Sequence, residues 1–125
     1  MPPGREVERL SRNNTLEKEQ LTDAAYYILL ALLAPRHGYS IMSYIESLTD
    51  GEFVIGPATA YTLIRKLQDS GCILLTEDEA TDRRKTYSIT DKGKQLVIAE
   101  IERRQRMAEH GNLALLAAKE ERTDG

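Results

Sequence analysis

One cysteine and no tryptophan stand among the 125 residues. The lone thiol, Cys72, excludes a disulfide within the chain and a zinc site built on thiolates. The two histidines, His37 and His110, are too far apart to supply paired ligands, so no metal and no cofactor is expected. Long apolar runs are also missing. The longest, Ala24 to Ala34, falls far short of the roughly 20 residues that span a bilayer. The segment before it mixes Arg5, Arg9, Arg12 and Lys18 with Glu6, Glu8, Glu17, Glu19 and Asp23, which is not the positive flank of a secretory signal, so a cytoplasmic protein is expected. Basic excess is absent too. Lys and Arg total 17 against 20 Asp and Glu, a net charge of −3, which excludes attraction to a polyanion through overall charge and leaves only local placement of basic groups. The carboxylates Glu77-Asp78-Glu79 fall on an expected turn with no pocket for acid–base work, and no catalytic residue is expected.

What is present is one domain's worth of chain. Hydrophobic residues make up 41% and charged residues 30%, too apolar for a disordered chain. Residues 1–14, opening on Pro2-Pro3-Gly4, read as a flexible arm. From Leu21 the pattern turns helical: Ala25, Ile28, Leu29 and Leu32 repeat at i, i+3, i+4 and i+7, with Thr22 as N-cap, and Leu30, Ala31 and Leu33 make this helix apolar nearly all round. Pro35 stops it, and Arg36-His37-Gly38 reads as a turn in which the His37 ring caps a neighbouring carbonyl. A second helix starts near Tyr39 or Ser40, carries the stripe Ile41, Tyr44, Ile45 and Leu48, and ends at Asp50-Gly51.

Glu52-Phe53-Val54-Ile55 reads as a short β-prone stretch before Gly56-Pro57, where proline takes the first position of a third helix that runs to about Ser70. Ala60, Leu63, Ile64 and Leu67 form its apolar face, so Tyr61 reads as exposed, and Gly71 follows as C′. The period then switches towards two. Residues 72–78 and 85–89 read as strands of a hairpin with Tyr87 packed inward, and 79–84 read as its loop. Thr90 is placed as N-cap of a last helix that carries Leu96, Val97, Ile101 and Ala108 and runs to about Lys119, with Gly111 weakening its middle. Three helices, a hairpin and a closing helix give a mainly α fold with a small β-hairpin wing, the winged helix-turn-helix plan. Its third helix is slim enough for a DNA major groove about 12 Å wide.

Placed in this order, the residues resemble the PadR family of bacterial transcriptional regulators. The resemblance covers about 21–118 and rests on Leu21-Thr22, Pro35-Arg36-His37-Gly38-Tyr39, Gly56-Pro57-Ala58-Thr59-Ala60-Tyr61, Leu67 through Gly71 to Ile73, Asp82-Arg83-Arg84-Lys85-Thr86-Tyr87 and Ile89-Thr90-Asp91-Lys92-Gly93. It implies a recognition helix with Pro57, Ala58, Thr59, Tyr61 and Thr62 at its DNA-facing start and Arg65 and Lys66 further along. Tyr39 and Ser40 would touch the DNA backbone, and Arg83, Arg84 and Lys85 would reach it from the wing. It also implies a homodimer paired through the first and last helices. The residues placed at that interface are Leu21, Ala25, Leu29, Leu96, Val97, Ile101, Ala108 and Leu115. Some relatives hold aromatic compounds between the subunits on a tryptophan of the last helix, which this chain lacks.

The expected organisation is a flexible arm over 1–14, a DNA-binding domain over 15–90, a C-terminal dimerisation helix over 91–119 and a flexible tail over 120–125. The expected partners are a double-stranded operator, a second copy of the chain and a small-molecule effector. Between 57 and 94 the basic residues exceed the acidic ones by one, seven to six. Binding should therefore be sensitive to salt yet modest per subunit. Two other readings stay open: a winged-helix protein-interaction module without DNA binding, suggested by the acidic balance, and a ligand-sensing dimer with an interfacial pocket.

Overall fold

The computed structural model describes residues 20–77 and 85–124. The expected N-terminal arm, the loop of the hairpin and Arg83 and Arg84 lie outside the described residues.

Helix α1 (Asp23–Ala31) begins where the sequence places a cap: Thr22 is extended, and its hydroxyl accepts from the Ala25 N–H at 3.1 Å. It ends at Ala31, short of Pro35. Arg36 closes that end by donating to the Ala31 carbonyl while its guanidinium lies 4.0 Å from the centroid of the Tyr44 ring, so one side chain ties α1 to the next helix. Ala25, Ile28, Leu29, Ala31 and Leu32 are all buried in the core. Most of its apolar circumference is used inside the subunit, because α1 packs against each of the other three helices, while Leu33, just past its end, is exposed.

Arg36 and His37 are not merely a turn. They form a short strand, β1 (Arg36–His37), that leads into α2 (Gly38–Leu48). Asp50 and Gly51, both with positive φ, end α2, as the Asp-Gly pair foretells. The β-prone reading of 52–55 is corrected: no strand forms there. The Thr49 hydroxyl accepts from the Phe53 N–H and lies 3.2 Å from its carbonyl, while Phe53 stacks on Tyr27 and Ile55 is buried, so this stretch is fixed by local turns and side-chain packing.

Helix α3 (Pro57–Asp69) has proline in its first turn and stops at Gly71, whose φ of 81° is the left-handed value expected of a C′ residue. β2 (Ile73–Glu77) and β3 (Lys85–Ile89) then pair antiparallel, Ile73 opposite Ile89 and Glu77 opposite Lys85. β1 adds to the free edge of β3, with Arg36 opposite Tyr87 and His37 opposite Thr86, giving a three-stranded sheet in the order β1-β3-β2. This is a winged helix-turn-helix fold with a long C-terminal helix. Cys72, at 1% exposure, is packed beside Ile73 at the α3–β2 corner, where the Ser70 hydroxyl donates to its Sγ.

Helix α4 runs from Asp91 to Asp124. Thr90 caps it by accepting from the Gly93 N–H and donates to the Gly71 and Cys72 carbonyls, so the cap also fastens the helix to the end of α3. Residues 120–124, expected as a flexible tail, continue the helix. Gly111 does not break it, since a helical glycine costs only about 1 kcal/mol and, beyond His110 and Asn112, the helix is rich in Ala, Leu, Glu and Arg. No helix among the described residues is long and apolar enough to cross a membrane.

Among the described residues, it is the first part of α4 that packs against the other elements. Gly93 lies so close that a Cβ there would fall against the Cys72 carbonyl. Val97 is buried one turn later. Glu100 follows, the one fully buried charged residue among those described, and it accepts from Arg103 and Arg104 and, at 3.5 Å, from the Leu21 N–H. Arg104 also donates to the Asp23 carboxylate at 2.9 Å and to the Leu21 carbonyl at 3.1 Å, with its guanidinium over the Tyr26 ring. Beyond Arg104, residues 105–121 are exposed throughout.

Candidate nucleic-acid interface

The face that α3 turns outward follows from the face it buries. Ala60, Ile64 and Leu67 are held in the core. At 3.6 residues per turn this leaves Ala58, Thr59, Thr62, Arg65 and Lys66 exposed on the other side, where the structure places all of them, and Pro57 is exposed because it opens the helix. The start of α3 has no side-chain cap at Gly56, so its first-turn N–H groups remain open to an external acceptor. Arg65 and Lys66 are the basic residues of this helix, and its one acid, Asp69, is at the far end. Thr59, Thr62 and Tyr61 offer hydroxyls between them, a mix of donors and acceptors suited to base edges and phosphates alike.

Beside this face lies an open hollow of about 390 Å³ lined by His37, Gly38, Tyr39, Ser40, Tyr61, Lys85 and Tyr87. Three elements meet here: the junction of β1 with α2, the start of α3, and β3 of the wing. The first turn of α2 opens into the hollow with its positive end free, since His37 makes no side-chain cap bond. Instead the His37 Nδ1 lies 3.3 Å from the Lys85 carbonyl and 3.3 Å from the Thr86 hydroxyl across the strand pair. The ring thus meets a carbonyl, as expected, but one distant in sequence.

Tyr39 is 75% exposed and Ser40 is half-buried. Tyr61 is 42% exposed, and its ring lies over Gly38 so closely that a Cβ there would be 2.5 Å from the Tyr61 Oη. Gly38 is therefore the residue that lets the α3 tyrosine lie against α2. Behind it, Tyr87 is buried, and its burial, then the neighbouring Tyr61, push the phenol above its ordinary value against the opposing pull of Arg65. Three side chains from α3 and the wing thus share one electrostatic environment.

Of the sequence-derived DNA-facing residues, Tyr39, Ser40, Tyr61 and Lys85 line the hollow, and Pro57, Ala58, Thr59, Thr62, Arg65 and Lys66 are exposed along α3. His37, Gly38 and Tyr87 complete the hollow and were not foreseen as part of it. The only signal for them was cross-strand register, which cannot be read before the pairing of β1 is known.

The residues expected at a subunit interface divide differently. Ala25, Leu29 and Val97 are buried in the subunit's own core, and Ala25 also lines a groove beside it. Leu21, Leu96 and Ile101 are half-buried against the same core, while Ala108 and Leu115 are exposed, Leu115 at 72%. Met107, Leu113 and Leu116 are exposed beside them. A second groove, of about 560 Å³, runs between the start of α1 and the far half of α3, where Leu21, Ala25, Leu63 and Leu67 meet Lys66 and Asp69. Among the described residues no group of three His, Cys, Asp or Glu side chains could hold a metal ion.

The family model described as the transcriptional regulator PadR-like family matches residues 28–99, from the core of α1 into α4. No curated protein matches the chain. Solved structures do. A transcriptional regulator from Clostridium thermocellum is 24% identical at a TM-score of 0.63, over 83% of this chain and 95% of that one. A PadR family transcriptional regulator from Eggerthella lenta is 27% identical at a TM-score of 0.58, over 90% of each chain. Bacillus subtilis PadR, in complex with operator DNA, is 28% identical at a TM-score of 0.54, over 62% of this chain and 46% of that one.

Proposed function

This chain belongs to the transcriptional regulator PadR-like family, and on that premise we propose that it is a homodimeric repressor that binds a pseudo-palindromic operator. The observation that carries the reading is the division of α3: its apolar residues are spent on the core and its outward face holds Thr59, Thr62, Arg65 and Lys66 beside a hollow lined by Tyr39, Ser40, Tyr61 and Lys85. In this mechanism the exposed start of α3 enters a major groove, where Thr59 and Thr62 meet base edges. The open N-terminus of α2 takes a backbone phosphate with Tyr39, Ser40 and Lys85 around it. Arg65 and Lys66 add phosphate contacts, as do Arg83 and Arg84 of the wing.

The second copy is argued from α4. Its inner face runs Gly93, Val97, Glu100, Arg104 and continues as Ala108, Gly111 and Leu115, which are exposed among the described residues. A second α4 laid along Ala108 and Leu115, with Leu21, Leu96 and Ile101 at the edge, gives a two-fold dimer, and such dimers read half-sites about 34 Å apart, one turn of DNA. Residues 15–90 are then the DNA-binding unit and α4 the dimerisation element.

A protein-interaction module would call for an acidic surface over α3, whose single acid is Asp69. A small-molecule effector is the further partner of this reading, and the groove between α1 and α3 is a place for one. The test is a gel shift of the purified protein on DNA from its own upstream region, with random duplex as competitor, across a salt series, with sedimentation of the free protein alongside. Saturable binding that resists competitor and weakens steeply with salt, by a dimer, is the expected outcome. No shift at micromolar protein would overturn the DNA-binding reading, and a monomer in sedimentation would overturn the dimer.

A further inference from the structure

Glu100 is buried to 0% exposure one turn before Arg104, the last residue of α4 that is not exposed among those described. Every polar partner it has lies on α4 itself or at the entrance to α1. Arg103 and Arg104 donate to its carboxylate from the next turn, and the Leu21 N–H approaches it at 3.5 Å. Arg104 then spans the gap between the helices, reaching Asp23 at 2.9 Å, the Leu21 carbonyl at 3.1 Å and the face of Tyr26. Apolar packing alone would have held α4 here at lower cost, since a buried charge pair contributes little net stability compared with hydrophobic residues of the same volume. What such a pair supplies is direction: a guanidinium fork joined to three acceptors has one geometry, whereas an apolar seam tolerates rotation and sliding.

Direction matters at this point because of the length that follows. Residues 105–121 extend past Arg104 and are exposed throughout among the described residues, an arm of about 25 Å at 1.5 Å per residue. A tilt of about 10° at its root moves the far end by about 4 Å, more than the roughly 3.4 Å between successive base pairs.

We infer that Glu100 and Arg104 are positioning residues that set the angle between α4 and the recognition-helix body, and thereby the half-site spacing the dimer accepts. This rests on the proposal that α4 pairs two subunits on operator DNA. The pairing fixes one α4 to the other, the Glu100–Arg104 node fixes α4 to α1, and α1 packs on α3, so the node is the joint through which the two recognition helices are held at one separation.

The experiment uses the full chain. Duplexes that the unsubstituted protein selects from a randomised pool are rebuilt with the spacer between half-sites lengthened or shortened by single base pairs. Binding is then compared for the wild type, Glu100→Gln and Arg104→Lys. Glu100→Gln keeps the shape and an acceptor for Leu21 but loses the charge. Arg104→Lys keeps the charge but cannot join Glu100, Asp23 and Leu21 at once, and it serves as the gentler variant should the first fold poorly. Both variants should remain dimeric and bind an isolated half-site like the wild type, while discrimination between the best spacing and its neighbours falls by about tenfold. A role in stability alone would lower affinity equally at every spacing, and an unchanged spacing profile in both variants overturns the inference. Failure of the wild type to select any duplex with two half-sites overturns instead the reading beneath it, and that outcome is distinct because it appears without any substitution.

Discussion

Gly38 and Gly93 both occupy positions where a methyl group has no room, yet they should respond differently to one. At Gly38 the obstacle is the end of the Tyr61 side chain, which is partly exposed and can swing away. At Gly93 it is the Cys72 backbone carbonyl and the Ile89 side chain, and the carbonyl cannot move without the α3–β2 corner. Urea unfolding should therefore show Gly93→Ala losing about 1–3 kcal/mol and Gly38→Ala less than that, while DNA binding should reverse the order because Gly38→Ala dislodges Tyr61 from the surface proposed to meet DNA. Single exposed residues of the site separate by chemistry in the same way. With Lys85 at a phosphate as proposed, Lys85→Ala should lower the slope of log affinity against log salt by about 1 at every sequence, whereas Thr59→Ala should leave the slope alone and change which bases are preferred in a selection.

Among the elements, caps and corners decide where the chain turns. Thr90 is the strongest case: one hydroxyl caps α4 at Gly93 and fastens it to the carbonyls of Gly71 and Cys72. Thr90→Ala should cost about 1–2 kcal/mol in thermal or urea unfolding, at the upper end of the usual range for a lost cap. How far such elements could be read beforehand depended on whether their cause was local. Thr22 with its stripe, Pro57 before Ala60-Ile64-Leu67, Gly71 as C′ and the period-two segments on either side of the wing all carry their signals within a few residues. α1 to α3, both long strands and the outward face of α3 were therefore legible. β1 was not, since two residues have no period and Arg36-His37 becomes a strand only because β3 offers an unpaired edge. The opposite error at 52–55 has the same root: β-prone residues found no strand to pair with. At α4 the i, i+3 and i, i+4 spacing of Glu100, Arg103 and Arg104 reads as an ordinary exposed helix pair. Only the meeting with Leu21 and Asp23 at the far end of the sequence buries the carboxylate.

For the whole molecule, that carboxylate links stability to acidity. Burial pushes the Glu100 carboxyl up, but hydrogen bonds from Arg103, Arg104 and the Leu21 N–H and the charge of Arg103 outweigh it, and the group is held below its ordinary value. A carboxylate depressed in the folded state contributes its full stability above its unfolded value and loses it as pH falls through the folded one. Denaturant unfolding repeated through the acid range should therefore show the wild type losing stability below the ordinary carboxylate range, and Glu100→Gln losing less across the same interval. The single cysteine extends this view from equilibrium to rate. Because Cys72 is buried where α3, β2 and the first turn of α4 converge, a thiol reagent can reach it only when that corner parts, so the native chain carries its own clock for opening. Timed labelling of Cys72, with and without DNA, would show whether gripping an operator slows the breathing of the joint between the reading head and its long helix.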